Sequence, residues 1–291
     1  MSHLETFRRE FKIAHDADLG NVAVAVDAVY SAASLFTEFL QNVESPDNAF
    51  GFRIYSFLNM LGRTCEHAQG MLVAMATGSA TSAEALGRIV VESSINLMFL
   101  ATKGDPATLV KFYQTWLEEH RKRLADWEKL VQEEAPNSGI LGMIAERRQA
   151  VSNLSDFLDA NVAQCPIDMS SPAPWPGQIR QRFQQVGREG AYFTTYHRLS
   201  GSSHVTGEDT LMWFLSLNGT PEMREKLGHE AWAYSVMMTL AVCQFFIDAV
   251  SACCEDAGMP PNAELRAHRQ ALDAAIFEIA PAAGVPMHAM K

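Results

Sequence analysis

Apolar positions recur at three- and four-residue intervals along almost the whole chain, and no stretch alternates with period two between hairpin turns. The pattern predicts an all-α, single-domain helical bundle over residues 1–291, with about eight to nine helices. A first helical pattern covers residues 4–43, with a weak point at Gly20-Asn21, and ends in the turn cluster Ser45-Pro46-Asp47-Asn48. A second covers residues 52–76 and a third 82–102, the latter capped by Thr81 or Ser82. Asp105-Pro106 reads as an N-cap followed by a first-turn proline, opening a fourth helix that reaches Glu134. That helix is dense in charges of both signs, from Glu118 to Lys129, as expected of a solvated outer helix.

A fifth helix is predicted over residues 140–163. The stretch 165–177 carries Pro166, Pro172, Pro174 and Pro176, so it is a loop and the candidate hinge or lid of the chain. Its Trp175 is expected to anchor it as an ordered flap over 166–176. Helical patterns resume at 178–199, 207–217, 221–254 and 262–279.

Two polar lines stand out against this apolar background. In the third helix Arg88, Glu92 and Asn96 fall at i, i+4, i+8, so they share one line, flanked by Ile89, Val90, Val91, Ile95, Leu97 and Met98. A solvated amphipathic helix has a broad polar face. A charged stripe one residue wide implies packing against partners or around a cavity, because unpaired buried charge is costly. An Arg88–Glu92 pair, extended to Glu84, that merely fixes helix register explains the same pattern. The second line is Tyr196, Ser200 and His204. Gly201 is expected to end the helix there, putting Ser202, Ser203 and His204 in a turn whose backbone N–H groups face anions. A histidine bonded to a neighbouring carbonyl is the plainer alternative.

Taken in order, Arg88-x3-Glu92-x3-Asn96, a charged helix starting near Phe112-Tyr113, and Tyr196-x3-Ser200-x3-His204 resemble a widespread bacterial family catalogued as a domain of unknown function. The resemblance covers roughly residues 53–217. It implies that Arg88, Glu92, Asn96, Tyr196, Ser200 and His204 form one ligand-binding site, and it implies no particular chemistry.

Other motifs narrow the chemistry further. Arg198 and His204 fit the Arg-x(4–6)-His spacing of HEPN-type helical nucleases, but so do Arg8–His15, Arg9–His15 and Arg224–His229. No Glu has a His three residues later, as a di-metal carboxylate bundle needs, so no metal site is expected. Phosphate-binding glycine loops and nucleophile elbows are lacking too, and no cofactor is identified.

Composition alters this picture at three points. A formal net charge of −11 argues against a DNA-tracking surface, although Arg180, Arg182 and Arg188 cluster in a stretch that also reads as a solvated helix face. Five cysteines, mostly within apolar helical runs, point to a reducing cytoplasm. The uncharged run 231–247 is shorter than a bilayer span of about 20 residues and is read as a central bundle helix, so no membrane partner is expected.

Three functions remain. The leading one is a small-molecule-binding or regulatory protein, expected to be a homo-oligomer. The second is a metal-independent, HEPN-like ribonuclease or other hydrolase, with His204 as general acid or base and Arg88 or Arg198 on phosphate. The third is a structural interaction protein with no ligand.

Overall fold

The computed structural model describes residues 2–17, 19–43, 47–136, 138–170, 174–202 and 207–285, with backbone alone for 40–42, 202, 208 and 209. It is all-helical, 81% helix, with no strand among the described residues. Among the described residues eleven helices replace the predicted eight to nine, and left-handed residues mark the extra breaks. Lys12 (φ +56°) caps and ends α1 (His3–Phe11), and Gly20 (φ +48°) precedes α2 (Val22–Asn42). Gly187 (φ +72°) divides the predicted 178–199 helix into α7 (Ile179–Gln185) and α8 (residues 189–202). A helix cannot run through a positive φ, and glycine adopts one without a Cβ clash. Helix α8 starts as Glu189–Ala191, passes through a π-helical turn over Tyr192–Tyr196 and continues as His197–Ser202. Gly201 therefore stays helical instead of ending the helix.

The chain divides into two compact units, one of Met1–Val43, Ser56–Lys103 and Gln178–Lys291, the other of Glu44–Tyr55 and Gly104–Gly177. Helix α3 (Asn48–Ala76) begins in the second and continues in the first.

The larger unit is built on α10 (Pro221–Asp256), which packs along α4 (Ala80–Thr102), α2 and α11 (Ala263–Ile279). Its middle is apolar on nearly every side, and Val236, Leu240, Cys243, Phe246, Ile247 and Val250 are all buried. Gly87 lets α4 and α10 approach closely: a Cβ there would lie 3.1 Å from Val242 Cγ2 and 3.3 Å from Met71 Sδ. Ser79, two to three residues before the expected Thr81 or Ser82, occupies the N-cap of α4.

The smaller unit is a helical hairpin of α5 (Pro106–Glu134) and α6 (Ile140–Gln164). Asp105 caps α5 by accepting from Thr108 N–H, with Pro106 in its first turn. The core between the two helices consists of Leu117, Leu124 and Val131 on α5 and Ile144, Val151 and Leu158 on α6. Each set repeats every seven residues, the spacing of a coiled-coil seam. Trp175 of the proline-rich loop packs edge-on against Phe112, ring centroids 4.9 Å apart. Residues 171–173 of the predicted flap lie outside the described residues.

Helices α2, α4 and α10 are long and apolar enough to cross a membrane by length and composition. In the fold, 67% of the apolar window of α10 is buried against its neighbours.

Candidate functional site

The polar stripe of α4 meets side chains from three other elements of the larger unit. Glu84 accepts a hydrogen bond from Ser235 Oγ on α10. One turn on, Tyr196 from the π-helical turn reaches the stripe: its Oη donates to Glu92 Oε2 at 2.9 Å and accepts from Arg88 Nη2 at 3.4 Å. The Arg88 guanidinium carbon also lies 5.5 Å from the centre of the Tyr196 ring. Arg88 and Glu92 are thus half-buried and joined through a phenol, where the sequence suggests a direct pair. A turn further along, Asn96 Oδ1 accepts from Arg182 Nη1 on α7.

Local sequence explains the arrangement. Phe183 is fully buried among Tyr192, Tyr196 and Phe245, which fixes α7 against α8 and α10. Its neighbour Arg182 is consequently drawn in, to 8% exposure, and pointed at α4. A π-turn shifts the register by one residue relative to an α-helix and occurs often at functional sites; here it carries Tyr196.

Burial pushes the Tyr196 phenol above its usual pKa, aided by the Glu92 charge and opposed by Arg88. Tyr196 is therefore a neutral donor at physiological pH, and the Glu92 carboxylate is its acceptor. Burial likewise lowers the Arg182 pKa, with the Glu92 charge opposing. The stripe and its partners combine two guanidinium groups, two carboxylates and one neutral phenol. Arg88 Nε is buried with no hydrogen-bond partner among the described residues.

Of the remaining sequence-predicted positions, Ser200 is half-buried at the end of α8. Arg198 is exposed and lies over the Tyr234 ring, 5.3 Å from its centre. His204 lies outside the described residues. Among the described residues no three His, Cys, Asp or Glu side chains converge as metal ligands.

Sequence reasoning passed over a second polar group. An open cleft of about 420 Å³, bordered by Met98, Thr102, Arg188, Asp248, Ser251 and Glu255, lies where α4, the residues after α7 and α10 meet. Asp248 accepts from Arg188 Nη2 at 2.7 Å and from Arg269 Nε at 3.3 Å. The signal was a single carboxylate ending an apolar run of α10, where a buried charge demands partners.

A family model spans the middle of this arrangement, matching residues 55–219. The chain belongs to the family described as Family of unknown function (DUF5677). Arg88, Glu92, Asn96, Arg182 and Tyr196 of this DUF5677 member all fall within the matched region, whereas Ser235, Asp248 and Arg269 lie beyond it. No curated protein and no solved structure matches the chain.

Proposed function

We propose that this DUF5677 chain binds a small anionic ligand at the Arg88–Glu92–Tyr196 cluster, in a sensing or regulatory role. The observation that carries the reading is the buried Arg88 Nε, which has no hydrogen-bond partner among the described residues. A buried donor left unmade costs about 1–3 kcal/mol, so such a group calls for a partner. A carboxylate or phosphate oxygen satisfies a guanidinium edge best. Arg88, Glu92 and Asn96 each keep a minor part of their surface exposed. Arg88 and Arg182 bring two guanidinium groups to the stripe, balancing the carboxylates of Glu84 and Glu92.

We also infer a cytoplasmic protein without a membrane partner. The apolarity of α10 is accounted for by burial among helices, and none of the five cysteines forms a disulfide.

Thermal-shift measurements test the ligand reading, using inorganic phosphate, nucleotides and small carboxylic acids on the wild type and on Arg88→Gln. Native mass spectrometry of gently purified protein adds a search for bound mass. We expect at least one anion to raise the wild-type Tm with concentration, as linkage requires, and the rise to vanish in Arg88→Gln. Absence of any shift and of any bound mass, or a shift that Arg88→Gln leaves intact, overturns the proposal.

A further inference from the structure

Both helices of the α5–α6 hairpin carry an apolar stripe wider than the seam they bury. The seam takes one residue per heptad from each helix, at Leu117, Leu124 and Val131 and at Ile144, Val151 and Leu158. Beside it on α5 lie Trp116, Trp127 and Leu130, which are 41%, 41% and 49% exposed. Beside it on α6 lie Met143, Leu154 and Phe157, at 61%, 49% and 67%. Each of the six stands one residue before or three residues after a seam position. At 3.6 residues per turn these offsets lie about 60–100° from the seam, always in the same sense. In an antiparallel pair, equal offsets of the two helices share a side. Glu128 and Arg148, each four residues after a seam position, accordingly pair across the hairpin. The six apolar residues therefore form one face. The other face carries Glu118, Arg121 and Gln132 of α5 and Arg148, Ser152 and Asp159 of α6, all exposed. On α9 (Gly207–Asn218), by contrast, the exposed Leu211, Trp213 and Phe214 surround the helix and form no face.

Width, area and charge identify what covers this face. A helix with one neighbour needs only a narrow seam, whereas a helix set among several in a bundle shows a stripe about three-sevenths of the heptad wide. Helices α5 and α6 have the wide stripe, yet each packs extensively only against the other. Two more antiparallel helices complete a four-helix bundle. A second copy of the hairpin supplies them, with the same length and the same seven-residue repeat. Six large side chains about half exposed on one face give on the order of 700 Å² per copy, close to the roughly 800 Å² each partner gives to a stable interface. Arg123, Arg147 and Glu134 share these offsets; long charged side chains flank bundle seams in this way, with their heads in water at the rim. His120 lies against the Trp116 ring, centroids 4.2 Å apart. A lipid surface fits less well. A helix lying among headgroups draws on a cationic polar face, and α5 and α6 together have seven Lys and Arg against nine Asp and Glu.

We infer that the α5–α6 hairpin is the self-association element of this chain, its apolar face packing on the same face of a second copy about a two-fold axis to form a four-helix bundle. A two-fold contact is self-complementary, so one apolar face serves both partners. Homodimer interfaces are also the most apolar class. The charged face of each hairpin stays open to water in the pair. The hairpin belongs to the smaller unit and the Arg88 cluster to the larger, so the association does not depend on a ligand at Arg88.

Light scattering coupled to size exclusion, on the full chain over a range of concentrations, should give twice the 32.1 kDa chain mass. Leu130→Glu/Phe157→Glu, which puts one charge on each helix of the apolar face, should elute at a single chain mass with wild-type circular dichroism. Arg121→Glu/Ser152→Glu, on the opposite face, should keep the doubled mass. Should the first variant fail to fold, Phe157→Ala decides: it should raise the dissociation constant about tenfold or more at unchanged circular dichroism. A wild type of single chain mass at every concentration overturns the inference. So does a folded Leu130→Glu/Phe157→Glu that keeps the doubled mass, or a folded Arg121→Glu/Ser152→Glu that loses it. An unchanged dissociation constant in Phe157→Ala, or a single-mass chain that co-sediments with phosphatidylcholine–phosphatidylglycerol vesicles, overturns it equally.

Discussion

Helices α4 and α5 follow one another in sequence and are close to inversions of each other. Along α4 a line of polar residues, Glu84, Arg88, Glu92 and Asn96, runs through a helix whose other positions are mostly buried. Along α5 a line of apolar residues, Leu117, Leu124 and Val131, runs through a helix that is mostly solvated. Enclosure by α10 and its neighbours obliges the α4 stripe to find partners from other elements, and Ser235, Tyr196 and Arg182 supply them. The charges of α5 need none. They pair locally or across the hairpin at the surface, as Arg123 does with Glu119 and Arg148 with Glu128, and such exposed pairs contribute little. A charge pattern becomes a candidate site where packing restricts its access to water.

The largest expected effect tests the packing half of this contrast. Phe246 is 1% exposed at the centre of the larger unit, and Phe246→Ala should cost about 3–5 kcal/mol because enclosing helices cannot collapse into the space. Leu124→Ala in the two-helix seam removes a side chain that is also buried. Its loss should cost about 2–3 kcal/mol, since a hairpin open to solvent can close partly around the cavity. Urea unfolding of both variants measures the difference. Equal costs would mean that the seam is held as rigidly as the core.

A smaller effect is expected at the bridge between Arg88 and Glu92. Tyr196→Phe keeps the ring among Phe183 and Tyr192 but deletes the hydroxyl that bonds both charged groups. Removing one hydrogen-bonding partner of charged, half-buried groups should cost about 1–2 kcal/mol, read as a lowered urea midpoint at unchanged slope. An unaltered midpoint would make Tyr196 a packing residue and dissolve the bridge.

How much of this was legible in the sequence follows from which interactions are local. The i, i+4, i+8 spacing exposes the stripe because it depends on a single helix, and the all-helical fold follows from periodicity in the same way. Tyr196 was visible as one member of a second line, but its placement beside Glu92 depends on a π-turn that has no simple sequence signature. Arg182 read as part of a solvated basic face because nothing within α7 reveals that Phe183 pulls the helix inward. Asp248 marked the end of an apolar run, yet its partner Arg188 is 60 residues away. Pairing across such distances is settled by tertiary packing, which periodicity does not carry.

The smallest effect lies in pH dependence and concerns whether Asp248 behaves as a buried group or as one of the surface pairs of the hairpin. Burial raises its pKa above the ordinary carboxyl value, with Arg188 and Arg269 opposing and Asp273 adding to the rise. The folded protein therefore holds the Asp248 proton more tightly than the unfolded chain does. The corresponding stability is fully present below the unfolded pKa of about 3.9 and is lost as pH rises through the raised folded value. Asp248→Asn has no carboxyl to titrate, so it removes this dependence. The wild-type Tm minus that of Asp248→Asn should be largest at the acid end, decline across the carboxylate range and then level off, over a series from about pH 3.5 to about pH 7. The opposite slope, with the wild type gaining on the Asn variant as pH rises, would mean that two guanidinium groups outweigh burial. Asp248 would then be a net-favourable ion pair, and enclosure by α10 would not set it apart from the charges along α5.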